Sequence, residues 1–360
     1  MKIAFLVANL GCGGVERTVS YLSKYFANQG HSTSIICISD EQFYEIDESV
    51  NLIKLNITSN SCGRIERYKK ILLRITKINA SLKKIKPDCV VCLDAEMLRF
   101  IRFRHKMKKF KLITSERTNP MMNSEKQRKS KYRCYRSSDG IVFQTERAKL
   151  CFPPDISEKG VVIPNAVGNE FVFSAIQPQS RRKTITAAGR LTKQKDYPTL
   201  IKAFSLLHKK HPDYLLEIYG NGEDAEELKQ MVHELSLSEF VIFKGSVKDA
   251  ILHIASSACY VMSSLYEGMP NALMEALAVG VPCVSTDCPF GPRELIRNNE
   301  NGILVEVGDE NALSDAMCRM IEDPDFAQKC ATESKKILIE QNIDAISQKY
   351  LDYISCVVNQ

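Results

Sequence analysis

Two glutamates stand eight positions apart in Glu267-Gly-Met-Pro-Asn-Ala-Leu-Met-Glu275, around the predicted start of a helix. Ala272, Leu273, Ala276 and Leu277 repeat at helical spacing, and Gly280 supplies a stop. Pro270 suits the first turn, where its missing N–H would be unpaired anyway. Asn271 and Glu275 are four apart and share a face. The backbone from Gly268 through Met269 and Pro270 to Asn271 offers N–H groups with a carboxylate on either side. That combination suits a ligand rich in hydroxyls, such as a sugar or a ribose. A solvated amphipathic helix with two incidental acids has the same spelling.

Other groups with chemical potential fall at predicted strand ends. Gly189-Arg190-Leu-Thr-Lys-Gln-Lys195 places a planar guanidinium and a mobile ammonium where both can reach one anion, a useful pair for a diphosphate. Gly220-Asn-Gly222 reads as a tight turn after a strand, and Lys244-Gly-Ser-Val247 follows the next strand. In Gly11-Cys-Gly-Gly14, Gly13 and Gly14 let backbone approach an anion at a helix start. A tight turn alone also accounts for that loop. As a dinucleotide fingerprint it fails, because the third glycine position is Glu16. Glu116 and Arg117 follow another predicted strand. Ile163-Pro-Asn165-Ala-Val167 reads as a capping turn. Asp323-Pro-Asp325 has the spelling of a metal motif but lies between two predicted helices, so it is expected to be a helix boundary and no metal site is expected.

The elements that must position these residues alternate. Lys2 to Ala8 reads as a strand, Val15, Val19, Leu22 and Phe26 as a helix stripe, and Ser34 to Ile38 as a second strand. This βαβ opening predicts a parallel sheet with right-handed crossovers. Further strands are expected at 89–93, 111–115, 140–144 and 160–163. After a polar stretch over Gly168–Lys183 that reads as a linker, a second series follows at 184–188, 214–219, 241–244, 258–262 and 282–285. Closing helices are expected at 313–321, 328–339 and 344–358. Ligands of such sheets bind at the carboxyl ends of the strands.

Composition bounds the rest. The chain has 360 residues, 44% hydrophobic and 26% charged, enough for two domains with real cores. No apolar run reaches membrane-spanning length, and the short run from Ile3 to Ala8 reads as a strand rather than a leader. The 13 cysteines are scattered; Cys89 and Cys92 point to opposite faces of a strand, and buried thiols are expected. The net charge of +6 is unevenly spread. Residues 64–136 hold 23 basic and 6 acidic residues interleaved with Ile, Leu, Phe and Tyr. A solvated face and a surface facing anionic lipid compete as explanations. Nucleic acid is disfavoured, since no recognition motif accompanies the charge.

Over Val241–Val284, and most strongly across 185–305, the chain resembles the donor-binding core of retaining GT-B glycosyltransferases. This is the large family that includes sucrose synthases and many bacterial polysaccharide transferases, and it carries a Glu-x7-Glu spacing like that of Glu267 and Glu275. The resemblance implies an α/β fold of two Rossmann-like, doubly wound parallel-sheet domains facing across a cleft. Residues 1–168 would form an acceptor- and membrane-facing domain, with a helix over about 341–360 packing back on it, and 169–340 would bind the donor. By the same resemblance Arg190 and Lys195 hold the donor pyrophosphate and act with Glu267 in catalysis. Glu275 takes the ribose, Gly268 to Asn271 the sugar, Gly220 and Gly222 the nucleotide, and the backbone at Val247 the base. Gly13 and Gly14 border the acceptor side. Glu116-Arg117 stands where many relatives place a histidine, and is similar to the version in a subgroup of capsule and exopolysaccharide transferases.

The implied activity is transfer of a hexose or N-acetylhexosamine from a UDP-sugar to a lipid-linked or polysaccharide acceptor, with retention, without cofactor or metal. The implied location is the cytoplasm, peripheral on the inner face of the membrane. A nucleotide-sugar 2-epimerase of the same architecture and a non-catalytic membrane-surface module are the alternatives.

Overall fold

The computed structural model describes residues 1–11, 13–57, 63–101, 105, 107, 109–122, 124–168, 171, 181–247 and 250–360. Most of the expected linker lies outside them, as do Cys12 and positions 102–104, 106 and 108 of the basic segment. The chain divides into two compact units, Met1–Ala166 with Ile343–Gln360, and Val167–Asn342.

The first unit holds β1 (Lys2–Val7), β2 (Ser32–Cys37), β3 (Asn51–Lys54), β4 (Cys89–Cys92), β5 (Lys111–Glu116), β6 (Gly140–Phe143) and β7 (Gly160–Val162). They form one parallel sheet in the order β3-β2-β1-β4-β5-β6-β7. Strands covered on both faces read as continuous apolar runs, and β1 is buried from Ile3 to Val7. Helix α1 (Gly14–Asn28) buries Val19, Leu22 and Phe26 along one stripe, and Phe26 stacks on Phe5 of β1. Helices α2 (Arg64–Ile85) and α3 (Glu125–Ser137) follow β3 and β5. A capping box at Ser124 and Gln127 starts α3.

The second unit holds β8 (Arg182–Ala188), β9 (Leu215–Tyr219), β10 (Val241–Gly245), β11 (Ser257–Met262), β12 (Cys283–Thr286) and β13 (Ile303–Val305). All pair in parallel, in the order β10-β9-β8-β11-β12-β13. Helices α4 (Tyr197–Lys210), α5 (Asn271–Val279), α6 (Glu310–Glu322) and α7 (Pro324–Ser334) return the chain. The main core packs Leu200, Phe204 and Leu207 of α4 with Leu313 and Met317 of α6.

Helix α8 (Ile343–Asn359) belongs to the first unit. It buries Ile346, Tyr350 and Ile354 in one cluster with Ile3, Phe5 and Val91. The Tyr353 hydroxyl accepts the Ile141 N–H at 2.9 Å and donates to the Lys159 carbonyl at 2.6 Å. This helix therefore completes the sheet's hydrogen bonding as well as its core.

Several expectations need correction. β3 and β13 are strands the sequence pattern does not flag, being only four and three residues long at sheet edges. The helix expected at 328–339 is two pieces, Pro324–Ser334 and Ile337–Glu340. Pro270 sits one position before the first turn of α5, as its cap. Asp323 is a helix boundary: it closes α6, and its carboxylate accepts the Phe326 N–H at 3.0 Å to start α7.

Candidate active site

Strand order reverses once in each sheet, between β1 and β4 and between β8 and β11. Loops leaving the carboxyl ends of those strand pairs diverge, which opens a crevice there. In the second unit the two loops are 189–196 and 263–270. Lys195 comes from the first and Glu267 from the second. Their side chains meet at 2.5 Å across the switch point, 15% and 8% exposed.

The pair is held from both sides. Ser264 Oγ donates to Glu267 Oε1 at 2.8 Å, and Gln194 Nε2 donates to Oε2 at 3.3 Å and to the Tyr266 carbonyl at 2.9 Å. The Leu265 N–H donates to the Gln194 carbonyl at 2.8 Å, and Ser263 Oγ to the Lys195 carbonyl at 2.8 Å. Thr286 Oγ1, from β12, donates to the Ser264 carbonyl at 2.7 Å. Gln194, Ser263 and Ser264 escaped the sequence reading. The signal available was two serines directly after an apolar strand. The nearby Tyr197 phenol is raised in pKa by burial and then by the Glu267 charge. The buried Cys288 thiol is pushed up to about 12 by the same two causes, in that order.

Arg190, in contrast, is exposed, and its side chain makes no hydrogen bond or ion pair among the described residues. Gly220 and Gly222 have a packing reason. A Cβ on Gly220, whose φ is +135°, would lie 1.9 Å from the Gly189 carbonyl oxygen, and one on Gly222 would lie 2.1 Å from that of Leu191. Backbone bonds stitch the turns together: Gly189 N–H to the Tyr219 carbonyl, Leu191 N–H to Asn221, Gly220 N–H to Gly245. Val247 is 42% exposed one turn farther along the same edge. Gly268, Met269 and Pro270 lead into α5, where Asn271 and Glu275 are half-buried. The Glu275 and Glu267 charges both raise the pKa of the buried Tyr260 phenol, after burial, Tyr197 and Cys283. The structure thus gathers Arg190, Lys195, Glu267, Glu275 and the Gly220–Gly222 turn at one sheet edge.

The first unit's residues are placed differently. Glu16 folds its carboxylate over Gly13, where an added Cβ would lie 2.2 Å from Oε2. Burial raises the Glu16 pKa, partly offset by a backbone hydrogen bond and by Arg117. Gly14 begins α1 directly behind Gly13. Glu116, 2% exposed, spends both oxygens on neighbours: Lys131 at 3.1 and 3.2 Å, Tyr135 at 2.9 Å, and the Thr118 N–H and hydroxyl at 3.1 and 2.7 Å. Arg117 is half-buried and donates to Thr18 at 2.9 Å, Tyr350 at 3.3 Å and Asn165. Gln144 also donates to Asn165, at 2.6 Å. Glu116 is therefore an internal hub, while Arg117 sits beside the Glu16 carboxylate. The carboxylates of Glu41 and Asp94 also act on Glu16, the residue that breaks the dinucleotide fingerprint.

Residues 169–337 match the family model for glycosyl transferases group 1, and residues 12–170 match that for glycosyltransferase family 4. The chain is a member of the GT-B glycosyltransferase superfamily. Among relatives, a glycosyltransferase of Haemophilus influenzae is 27% identical over 97% of this chain and 98% of its own. A second relative, 26% identical over 93% and 94%, is the N-acetylgalactosamine-N,N'-diacetylbacillosaminyl-diphospho-undecaprenol 4-alpha-N-acetylgalactosaminyltransferase of Campylobacter jejuni. Among solved structures, Anabaena HepE in complex with UDP superposes with a TM-score of 0.83, covering 99% of this chain and 100% of its own at 18% identity. That likeness shows the GT-B fold.

Proposed function

We propose that this GT-B glycosyltransferase moves a hexose or N-acetylhexosamine from a UDP-sugar to a lipid-linked or polysaccharide acceptor in surface-glycan synthesis, with retention of configuration. The observation that carries this reading is the Lys195–Glu267 pair at the switch point, with an exposed Arg190 in the same loop as Lys195. Arg190 and Lys195 supply the two cations that a departing nucleoside diphosphate needs, so the chemistry requires neither metal nor cofactor. Diphosphate competes with Glu267 for Lys195. When it wins, the Glu267 carboxylate is released to accept sugar hydroxyls, still held by Ser264 and Gln194. Glu275 and the backbone around Gly268–Asn271 hold the remaining hydroxyls of donor and ribose. The named relative that acts on a diphospho-undecaprenol glycan supports a lipid-linked acceptor.

Membrane contact is assigned to the first unit. No helix among the described residues is long and apolar enough to cross a bilayer. Yet Ile65, Tyr68 and Leu72 at the start of α2 are 74%, 69% and 63% exposed, and Met121 is 71% exposed after β5. Both segments leave carboxyl ends of parallel strands, so they share one edge of the sheet. Exposed Arg67 and Lys69 lie among the apolar residues of α2, and Lys126, Arg128 and Lys129 are exposed at the start of α3. Apolar tips within a basic field fit an anionic leaflet, on the cytoplasmic face where nucleotide sugars are available.

The test is UDP release by the purified chain from a panel of UDP-hexoses and UDP-N-acetylhexosamines, with and without a lipid-diphosphate-linked glycan. NMR of the product then reads the anomeric configuration. Acceptor-dependent UDP release is expected; its absence across the panel, or epimer formation without transfer, would sink the proposal.

A further inference from the structure

We propose a zinc-class cation site in the second unit, formed by His211, Cys318 and Glu322. Helices α4 and α6 both follow strands of the parallel sheet and return to its amino edge, opposite Lys195 and Glu267. His211 caps the end of α4, and Cys318 and Glu322 lie four apart on the last turns of α6, so they share a face. One ligand atom from each of the three lies within 4.8 Å of the other two. His211 Nε2 and Glu322 Oε1 already meet at 2.7 Å.

Two further observations favour a cation here. Two helix carboxyl ends converge on the cluster, each carrying partial negative charge on unpaired carbonyls. The buried Ser314 hydroxyl, one turn before Cys318 on the same helix, has no hydrogen-bond partner among the described residues. The positive charge of Lys210, which would oppose a cation, is partly offset by its ion pair with Asp315 at 3.6 Å. The donor set of sulfur, imidazole nitrogen and carboxylate oxygen is that of zinc rather than of magnesium or calcium. Tetrahedral zinc takes sulfur at about 2.3 Å and nitrogen or oxygen at about 2.0–2.2 Å, so its ligand atoms stand roughly 3.3–3.8 Å apart. The present spacing runs from 2.7 Å between His211 and Glu322 to at most 4.8 Å, so an ion would open the first pair and draw the wider ones in. Binding releases the Cys318 thiol proton to solvent, requires the His211 proton that faces Glu322 to move from Nε2 to Nδ1, and leaves the fourth position to water. The ion would pin the end of α4 to the end of α6.

Cobalt(II) is the probe, because its thiolate charge-transfer band reports the sulfur ligand directly. Chelator-stripped full-length protein is titrated with cobalt, then with zinc in competition, and thermal midpoints are recorded with and without zinc. The expected result is one equivalent bound with a thiolate band. That band is lost in Cys318→Ser, and affinity falls more than about tenfold in His211→Gln and Glu322→Gln, the scale of disturbing a ligand shell. Glu322 is exposed, so Glu322→Gln leaves the fold intact and keeps the test decisive. Absence of a band in the unmodified chain, an undiminished band in Cys318→Ser, or unchanged affinity in either of the other variants would each overturn the site.

Discussion

At the scale of single residues, the Lys195–Glu267 pair decides most of what can be tested. Arg190→Ala should lower turnover about 100-fold, the scale of losing one transition-state donor, with an unchanged denaturation midpoint because Arg190 is exposed. Lys195→Ala should lower turnover at least as far but also lose stability. It leaves the nearly buried Glu267 carboxylate without its cation, and some part of the roughly 3–5 kcal/mol of a fully buried pair is then lost. Steady-state rates and denaturant curves on the two variants separate these outcomes. Glu267→Gln gives the sharper prediction. The amide keeps the volume and can accept from Ser264, but it no longer neutralises Lys195. Transfer should fall about 100-fold or more while UDP binds severalfold more tightly, measured by calorimetry. Unchanged or weaker UDP binding in a folded variant would end the idea that diphosphate displaces Glu267. Much at this scale was open to the sequence: Arg190, Lys195, Glu267 and Glu275 share one sheet edge. Glu116 was not readable, because the groups that occupy it, Lys131 and Tyr135, sit 15 and 19 positions away on a helix whose packing the sequence does not specify.

Among elements, the turns at the carboxyl edge of the second sheet lie backbone against backbone. Gly220→Ala should therefore cost on the order of 1–3 kcal/mol or more, since its Cβ would lie 1.9 Å from a main-chain oxygen and its φ is positive. A shift in the urea midpoint without change in slope is the expected signature; a midpoint within error of the parent would mean the turns can separate freely. Periodicity showed where helices and the longer strands lie, because amphipathic stripes such as Val19, Leu22 and Phe26 are local. Strand order is not local. Nothing in the spelling of β8 and β11 says that they are neighbours, yet their adjacency creates the crevice and brings Lys195 to Glu267. Three- and four-residue edge strands such as β13 and β3 carry too few positions for an alternation to register.

For the molecule as a whole, the apolar and basic edge of the first unit predicts salt-sensitive binding to vesicles. The protein should sediment with anionic liposomes at low salt and leave them at high salt. Tyr68→Glu with Leu72→Glu should abolish sedimentation while UDP binding persists; equal binding to neutral vesicles would leave the basic field without a role. Turnover should also survive excess EDTA, because the proposed metal cluster lies at the opposite sheet edge from Lys195. Loss of turnover that magnesium restores would instead place a metal at the donor. One feature of the chain path bears on how the protein is made. Helix α8 is translated after the whole of Val167–Asn342, yet it fills the core of the first unit and bonds Ile141. At about 5–20 residues per second, the first unit waits on the ribosome for roughly 9–35 s with one apolar face bare. During that interval the nascent chain is a client for chaperones, and a premature stop right after Asn342 leaves a finished second unit and a sticky, unfinished first.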